Sequence, residues 1–345
     1  CLLLAACGGP APSLLSVASI DAHVAAGHLH RHLSQSPRTL DPALNEDVAA
    51  YSIADDLFEG LVRLDAEGKV APGVAARWEQ SADGSTWLFH LRPEARWSNG
   101  DPVLAGDFIY AWRRILDPAT GSVNSEQLAP IEGAAQILAG TQPVSSLGVR
   151  ALDPHTLEVR LASPTPYFIY LLTLCWFMPL HEATLEKHGS AWTQPAHIVG
   201  NGSFVLQSRT ASGPITLARN SQYWDASAVK LKAVTYHPIT DTAAATARFL
   251  AGDLDITDRF QIEDMDWLRR DLAEQVRLEP YFATYMMAMN VTRPPFDDVR
   301  VRRAMVMALD RHVLTEKLLK GRYSPAAGIV PPLPGYEAVV PEWAR

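Results

Sequence analysis

The chain has 345 residues, 48% of them hydrophobic, and a formal charge of −8 from 30 Lys and Arg against 38 Asp and Glu. That length allows two or more folding units and a core large enough to need no disulfide staples. No basic cluster marks a helix or loop, which argues against nucleic acid as a partner, and the sequence shows no repeat, heptad pattern or low-complexity tract.

The first residues, Cys1 to Gly9, run from apolar to small side chains, as at the end of a secretory signal. No positively charged segment precedes them, so the signal is expected to be clipped. Leu4-Ala5-Ala6-Cys7 resembles a bacterial lipobox, in which cleavage leaves Cys7 as a lipidated N-terminus; the alternative is an apolar start with an incidental cysteine. The stretch from Gly8 to Ala26 suits a flexible tether to a membrane. Residues 1–28 are therefore expected to be signal remnant, lipobox and tether. Cys175 lies in an apolar run from Tyr167 to Met178, shorter than the roughly 20 residues a membrane helix needs, so it is expected in the core.

Leu29 to Leu33 is expected to be extended, followed by a loop through Pro42 and a helix over 49–61. Short strands and turns fill Val70 to Pro102. Thr86 to Leu91 alternates as a half-buried strand does, and Asn99-Gly100-Asp101-Pro102 has turn chemistry. Asp107 is placed as a helix N-cap ahead of Phe108, within a helix spanning 105–115 that Asp117-Pro118 stops. Trp78, Trp87, Trp97 and Trp112 supply enough aromatic area to anchor a small lobe. Ile131 to Ala139 is expected to be helical, 149–161 a hairpin around Asp153-Pro154-His155, and the apolar run past Pro164 a helix. Strands follow at 201–206, 215–219, 229–236 and 253–256, with helices at 241–251 and 264–272. A long buried strand is expected over 281–290 and a helix over 298–320. Interleaved strands and helices define an α/β class.

Several segments, in order, carry a family resemblance. They are the stretch Gly73 to Trp112, Thr39-Leu40-Asp41-Pro42 with Asp56-Leu57-Phe58-Glu59-Gly60-Leu61, and Trp192-Thr193-Gln194-Pro195 with Asn201-Gly202. Arg219 to Asp225, Ala251 to Asp255 and Pro294 to Ala304 complete the series. Together they resemble the oligopeptide-binding proteins of ABC importers, the family 5 extracellular solute-binding proteins, across residues 29 to 343.

The resemblance implies a bilobal periplasmic-binding-protein clamshell, type II-like with an additional inserted lobe. Lobe I would comprise 29–58 and 181–282, the inserted lobe II 59–180, and the start of lobe III 283–345. The family's second lobe continues beyond the region that Pro331 to Trp343 resembles, so it is expected to be incomplete here and peptide affinity weak. The implied function is capture of an oligopeptide in the periplasm and its delivery to a permease with ATPase subunits, by a monomer held on a bacterial membrane through a lipid anchor. Alternative cargoes are a murein peptide, a nickel chelate or haem; a truncated, non-transport lipoprotein is the alternative role. Extended ligands of this kind pair through their main chain, while wet pockets accept varied side chains.

By the same resemblance Glu46 and Val48, in the loop after Leu40-Asp41-Pro42, contact ligand, as do Asp258 and Arg259 near the crossing between lobes. Tyr285 and Met287 fall on the hinge-side strand. There Met286, Met287 and Ala288 replace polar or aromatic family residues, pointing to softer, more apolar contact. Solvated loop groups, a surface ion pair and core packing are the plain alternatives at these positions. His28, His30 and His32 alternate on one face at period two, a pattern that binds metal in some strands but equally marks a strand's beginning. His181, His188 and His197 lack ligand spacing. No nucleophile motif, phosphate loop or dinucleotide fingerprint occurs, so neither an enzyme nor a cofactor is expected.

Overall fold

The computed structural model describes residues 17–278, 283–326 and 328–330. They fall into two units that meet in sequence between Arg259 and Phe260.

In the first unit, α1 (Val17–Ala26) turns at Gly27 into β1 (His28–Leu33). A loop with one 3₁₀ turn at Pro42–Leu44 leads to α2 (Val48–Leu57), where the Asp47 carboxylate accepts the Ala50 amide at 2.7 Å as N-cap. β2 (Val62–Leu64) and β3 (Val70–Pro72) form a small antiparallel pair. Next come β4 (Ala75–Gln80), β5 (Thr86–Leu91), α3 (Ala105–Leu116), α4 (Ala134–Leu138), β6 (Val149–Asp153) and β7 (Thr156–Arg160). Their four strands make an antiparallel sheet ordered β4-β5-β7-β6. Period-two alternation sends Trp87, Phe89 and Leu91 of β5 inward, and Val159 and Leu157 of β7 lie in register with Trp87 and Phe89. α3 packs by β6 and adds Phe108, Ala111, Trp112, Ile115 and Leu116 to the same core.

After α5 (Phe168–Leu171) and α6 (Glu182–His188), the chain adds β8 (Phe204–Arg209), β9 (Ile215–Arg219) and β10 (Ala233–Pro238). These join β1 in a second sheet ordered β1-β10-β9-β8, in which β1 and β10 run parallel and the remaining pairs antiparallel. α7 (Thr242–Leu250) follows, capped by Asp241.

Four expectations need correction here. Asp107 is not the N-cap of α3. The helix begins two residues earlier, and the Asp107 carboxylate reaches back from its third position to the Leu104 amide (2.8 Å) while accepting the Trp97 indole N–H (3.0 Å). The helix expected over 131–139 starts only at Ala134. Gly133 is left-handed, with φ of 81°, and a Cβ there would lie 2.7 Å from the Ser146 carbonyl. The apolar run past Pro164 yields the single turn of α5 and a 3₁₀ turn at Cys175–Phe177. There the Trp112 indole takes the Phe177 carbonyl at 3.0 Å, and Pro179 forces Met178 into extended backbone. The strand expected at 253–256 is one parallel bridge, Arg31 to Ile256.

The second unit contains α8 (Met265–Asp271), α9 (Val299–Ala308) and a π-helical stretch at Val313–Leu318. The helix expected over 298–320 breaks because Leu309 is extended and the Asp310 carboxylate accepts the Val313 amide at 2.9 Å, starting a new turn. Residues 283–290 form no strand, and 281–282 lie outside the described residues. No strand occurs among the described residues of this unit, so the segment has no ladder to join.

Candidate ligand-binding site

Three separated motifs converge on Glu59, which follows α2 where the chain passes toward the β4–β7 sheet. The Glu59 carboxylate, 6% exposed as a residue, accepts the Tyr223 hydroxyl at 2.5 Å and the Trp224 indole at 2.6 Å. Asn201 clasps its backbone from both sides: Oδ1 accepts the Glu59 amide at 3.0 Å, and Nδ2 donates to its carbonyl at 2.8 Å. Gly202 must lack a side chain, since a Cβ would sit 2.5 Å from the Asp56 carbonyl. Arg92 lies 3.7 Å over the Trp224 ring. Burial drives the Glu59 pKa upward and outweighs the two donors and Arg63. This network holds architecture; every polar atom of Glu59 is already engaged by protein.

The loop between β1 and α2 is fixed from beneath. Asp41 pairs bidentately with Arg114 (3.0 and 2.6 Å) and accepts the Trp192 indole at 3.3 Å. The Asn45 carbonyl accepts Asn124 Nδ2 at 2.7 Å and Trp176 Nε1 at 3.3 Å. Upon this frame Glu46 and Val48 stay at the surface, Glu46 bonded only to the exposed Arg38 at 3.1 Å.

Asp258 and Arg259 follow the Arg31–Ile256 bridge, beyond the C-terminal end of β1. Asp258 sits 2.6 Å from His32 Nδ1 and keeps 43% of its side chain exposed. Arg259 is exposed, and its carbonyl accepts the Thr257 hydroxyl. The loop of Glu46 and the segment of Asp258 thus both leave the carboxyl end of the parallel β1–β10 pair, the end at which open α/β sheets receive ligands. Tyr285 and Met287 belong to the second unit, where they are 94% and 76% exposed in an irregular segment.

His32 is the residue that sequence reasoning missed at this end. It is 3% exposed, and its partner Asp258 lies far along the chain, so only the alternating row His28, His30, His32 signalled it. Among the described residues no group of three or more His, Cys, Asp or Glu is arranged to hold a metal ion. Cys175 is buried in the core, with its thiol pushed up to about 12 by burial. Trp97 and Trp112 are fully buried, and Trp87 nearly so. Two shallow depressions, about 250 and 360 Å³, lie near the end of α3 and beside Tyr167; none of the six candidate residues lines them. No described helix is long and apolar enough to cross a membrane.

Comparison with known proteins assigns this α/β frame to a family. The model for "Bacterial extracellular solute-binding proteins, family 5 Middle" matches residues 69–343. The chain belongs to this family and has its α/β fold. It is 40% identical over 321 residues to the periplasmic oligopeptide-binding protein OppA of Salmonella typhimurium, covering 92% of this chain and 59% of that protein. It is also 40% identical over 305 residues to the periplasmic murein peptide-binding protein MppA of Escherichia coli, covering 88% and 56%. Among solved structures, Burkholderia pseudomallei OppA superposes with a TM-score of 0.85 at 38% identity, over 92% of this chain and 63% of that one. Haemophilus influenzae OppA in complex with RPPGFSPFR gives 0.82 at 36% identity, over 88% and 60%. The chain therefore spans about three fifths of the length of the relatives it matches.

Proposed function

We propose that this protein is the extracytoplasmic solute-binding component of a peptide ABC importer, capturing oligopeptides and handing them to a membrane permease with its ATPase subunits. The observation that carries this reading is the 40% identity to an oligopeptide-binding protein over 92% of the chain. In this reading residues 29–58 and 181–282 form one lobe, 59–180 an inserted lobe, and 283–345 the beginning of the opposing lobe. Glu46, Val48, Asp258 and Arg259 meet the ligand from the first lobe, and Tyr285 and Met287 from the opposing one. The exposed, preorganised loop carrying Glu46 and the carboxyl-end position of Asp258 support their roles. Ligand binding shifts an open–closed equilibrium toward the form presented to the permease. The protein acts in the periplasm as a monomer, tethered through lipid on Cys7; that cysteine lies outside the described residues, and Leu4-Ala5-Ala6-Cys7 is the support.

Mass spectrometry of small molecules that co-purify with the protein from its own cells tests the cargo. Short peptides of mixed sequence are expected. A single murein peptide, which the equal identity to MppA makes the second reading, would replace the first, and a nickel chelate or haem would overturn both. Intact-mass analysis of the N-terminal peptide tests the anchor: an acylated Cys7 is expected, and an unmodified Cys7 in the mature protein rules it out.

A further inference from the structure

Two of the alternating histidines of β1, His30 and His32, meet opposite surroundings on one face. His30 Nδ1 lies 3.0 Å from His237 Nε2, a hydrogen bond that requires one donor and one bare lone pair. Both rings are held below the ordinary histidine range. Burial is the main cause for each, with His23 adding for His30 and Arg248 for His237, which is lowered to about 4.

His32, two residues along, faces only acceptors. Its Nε2 reaches the Ile239 carbonyl at 2.8 Å. Its Nδ1 faces the Asp258 carboxylate at 2.6 Å and the Thr257 hydroxyl oxygen at 3.2 Å, and that hydroxyl spends its own proton on the Arg259 carbonyl. A neutral imidazole has one N–H and would turn a lone pair toward either a carbonyl or a carboxylate; the doubly protonated ring satisfies both sides.

We propose that the buried His32 imidazolium and Asp258 form a proton-operated latch on residues 256–259, the last segment of the first unit. Deprotonation of His32 loosens it, because the neutral ring loses its charge attraction for Asp258 and leaves either the carboxylate or the Ile239 carbonyl facing a lone pair. The segment's neighbouring ties to β1 are the His32 amide to the Ile256 carbonyl (2.9 Å), the Asp255 and Ile256 amides to the His30 carbonyl (2.8 and 3.2 Å), and the His30 amide to the Asp255 carboxylate (2.6 Å).

The charged and titratable groups around His32 set the direction. Burial opposes its charge, and Asp258 and the Ile239 carbonyl outweigh burial, so its pKa lies above the ordinary value; Arg259 works weakly against it. Asp258 is disfavoured by burial but held below the usual carboxylate range by His32. From β10, His237 is the Cα partner of His32, and like His30 it is neutral near pH 7. Asp255 is bonded to His23 and to the His30 amide, so it is occupied, and Arg248 pairs with Asp253. The His32 contribution is present below the unfolded histidine pKa and lost as pH rises through its raised folded value. The Asp258 contribution is present above the unfolded aspartate pKa and lost as pH falls through its lowered one. The latch is closed between those limits.

Two measurements on the intact protein test this, and neither needs a ligand, so the outcome is independent of the peptide-binding reading. Long-range ¹H–¹⁵N NMR, with His32 assigned through His32→Gln, should show both ring nitrogens protonated at neutral pH and a pKa that falls below the ordinary histidine value in Asp258→Asn. Amide exchange, corrected for intrinsic rates, should lose about tenfold protection at His32 relative to Leu217 as pH rises through that pKa. In His32→Gln the same ratio should be flat with pH. A singly protonated His32 at neutral pH, an unchanged pKa in Asp258→Asn, or a protection ratio that does not move with His32 titration would overturn the latch.

Discussion

α3 and α9 begin from similar sequence signals and end differently. Each has an Asp at its start and apolar residues along one face, yet α3 buries six residues while α9 buries none. α3 lies in a unit whose two four-stranded sheets offer apolar faces to cover. The described part of the second unit has no sheet, and its buried residues are Met265, Leu268, Leu272 and Thr315 alone. A helix's amphipathic pattern states a need for a partner and does not supply one; most helical stability comes from the surface the helix covers.

The sharpest way to break this contrast is at Trp112, which is fully buried, donates to the Phe177 carbonyl and meets the edges of Phe108 and Phe177. Trp112→Ala removes packing and leaves that carbonyl unpaired, so a loss of about 3–5 kcal/mol is expected in urea unfolding. Tryptophan fluorescence suits the measurement, because seven of the nine tryptophans (Trp78, Trp87, Trp97, Trp112, Trp176, Trp192 and Trp224) lie in the first unit. An unchanged midpoint would mean that α3 is no better anchored than α9.

Arg114→Ala probes the same unit through charge. It strands the Asp41 carboxylate, only 4% exposed, with the Ala43 amide and the Trp192 indole as remaining donors. A cost of about 3 kcal/mol is expected, together with greater protease sensitivity in the loop carrying Glu46. A loss under about 0.5 kcal/mol, the range of an exposed pair, would place this ion pair with those of the second unit.

A smaller effect should appear with pH. His237 is lowered to about 4 by burial, Arg248 and His30, so the unfolded chain binds its proton first. Stability from this group is complete above the unfolded histidine pKa of about 6.5 and is lost as pH falls from there toward about 4, by about 2 kcal/mol. Urea titrations of wild type and His237→Asn at stepped pH should show the wild-type slope flattened in the variant. Parallel slopes would assign the acid sensitivity to other groups.

What could be read from the sequence follows the same divide. The collinear motifs were legible because they are structural: Asp41, Glu59, Asn201, Tyr223 and Trp224 bond one another or their neighbours across the chain, and such constraints restrict residue choice. Strands with period-two burial, such as β5 and β7, were legible for the same reason. Positions set by a single tertiary contact were not. Gly133 looks like any loop glycine until the Ser146 carbonyl is known to press against it. His32 was visible only as one of three alternating histidines, whereas its charge depends on Asp258, Thr257 and Ile239, brought to it by the fold.

The smallest effect is the most informative about the second unit. Met307 is 70% exposed on α9, and Arg300, its side chain 85% exposed, pairs with Asp298 at 2.6 Å. Met307→Ala removes little buried area, and Arg300→Ala removes a pair that water and salt already screen, so each should change stability by less than about 0.5 kcal/mol. Helicity read by NMR shifts over 299–308 should persist in both, because the Asp298 cap on the Arg300 amide at 2.8 Å survives either change. A Met307→Ala loss above about 1 kcal/mol would mean that this side chain is covered in solution by another surface. The second unit would then resemble the first, with its apolar face partnered as that of α3 is.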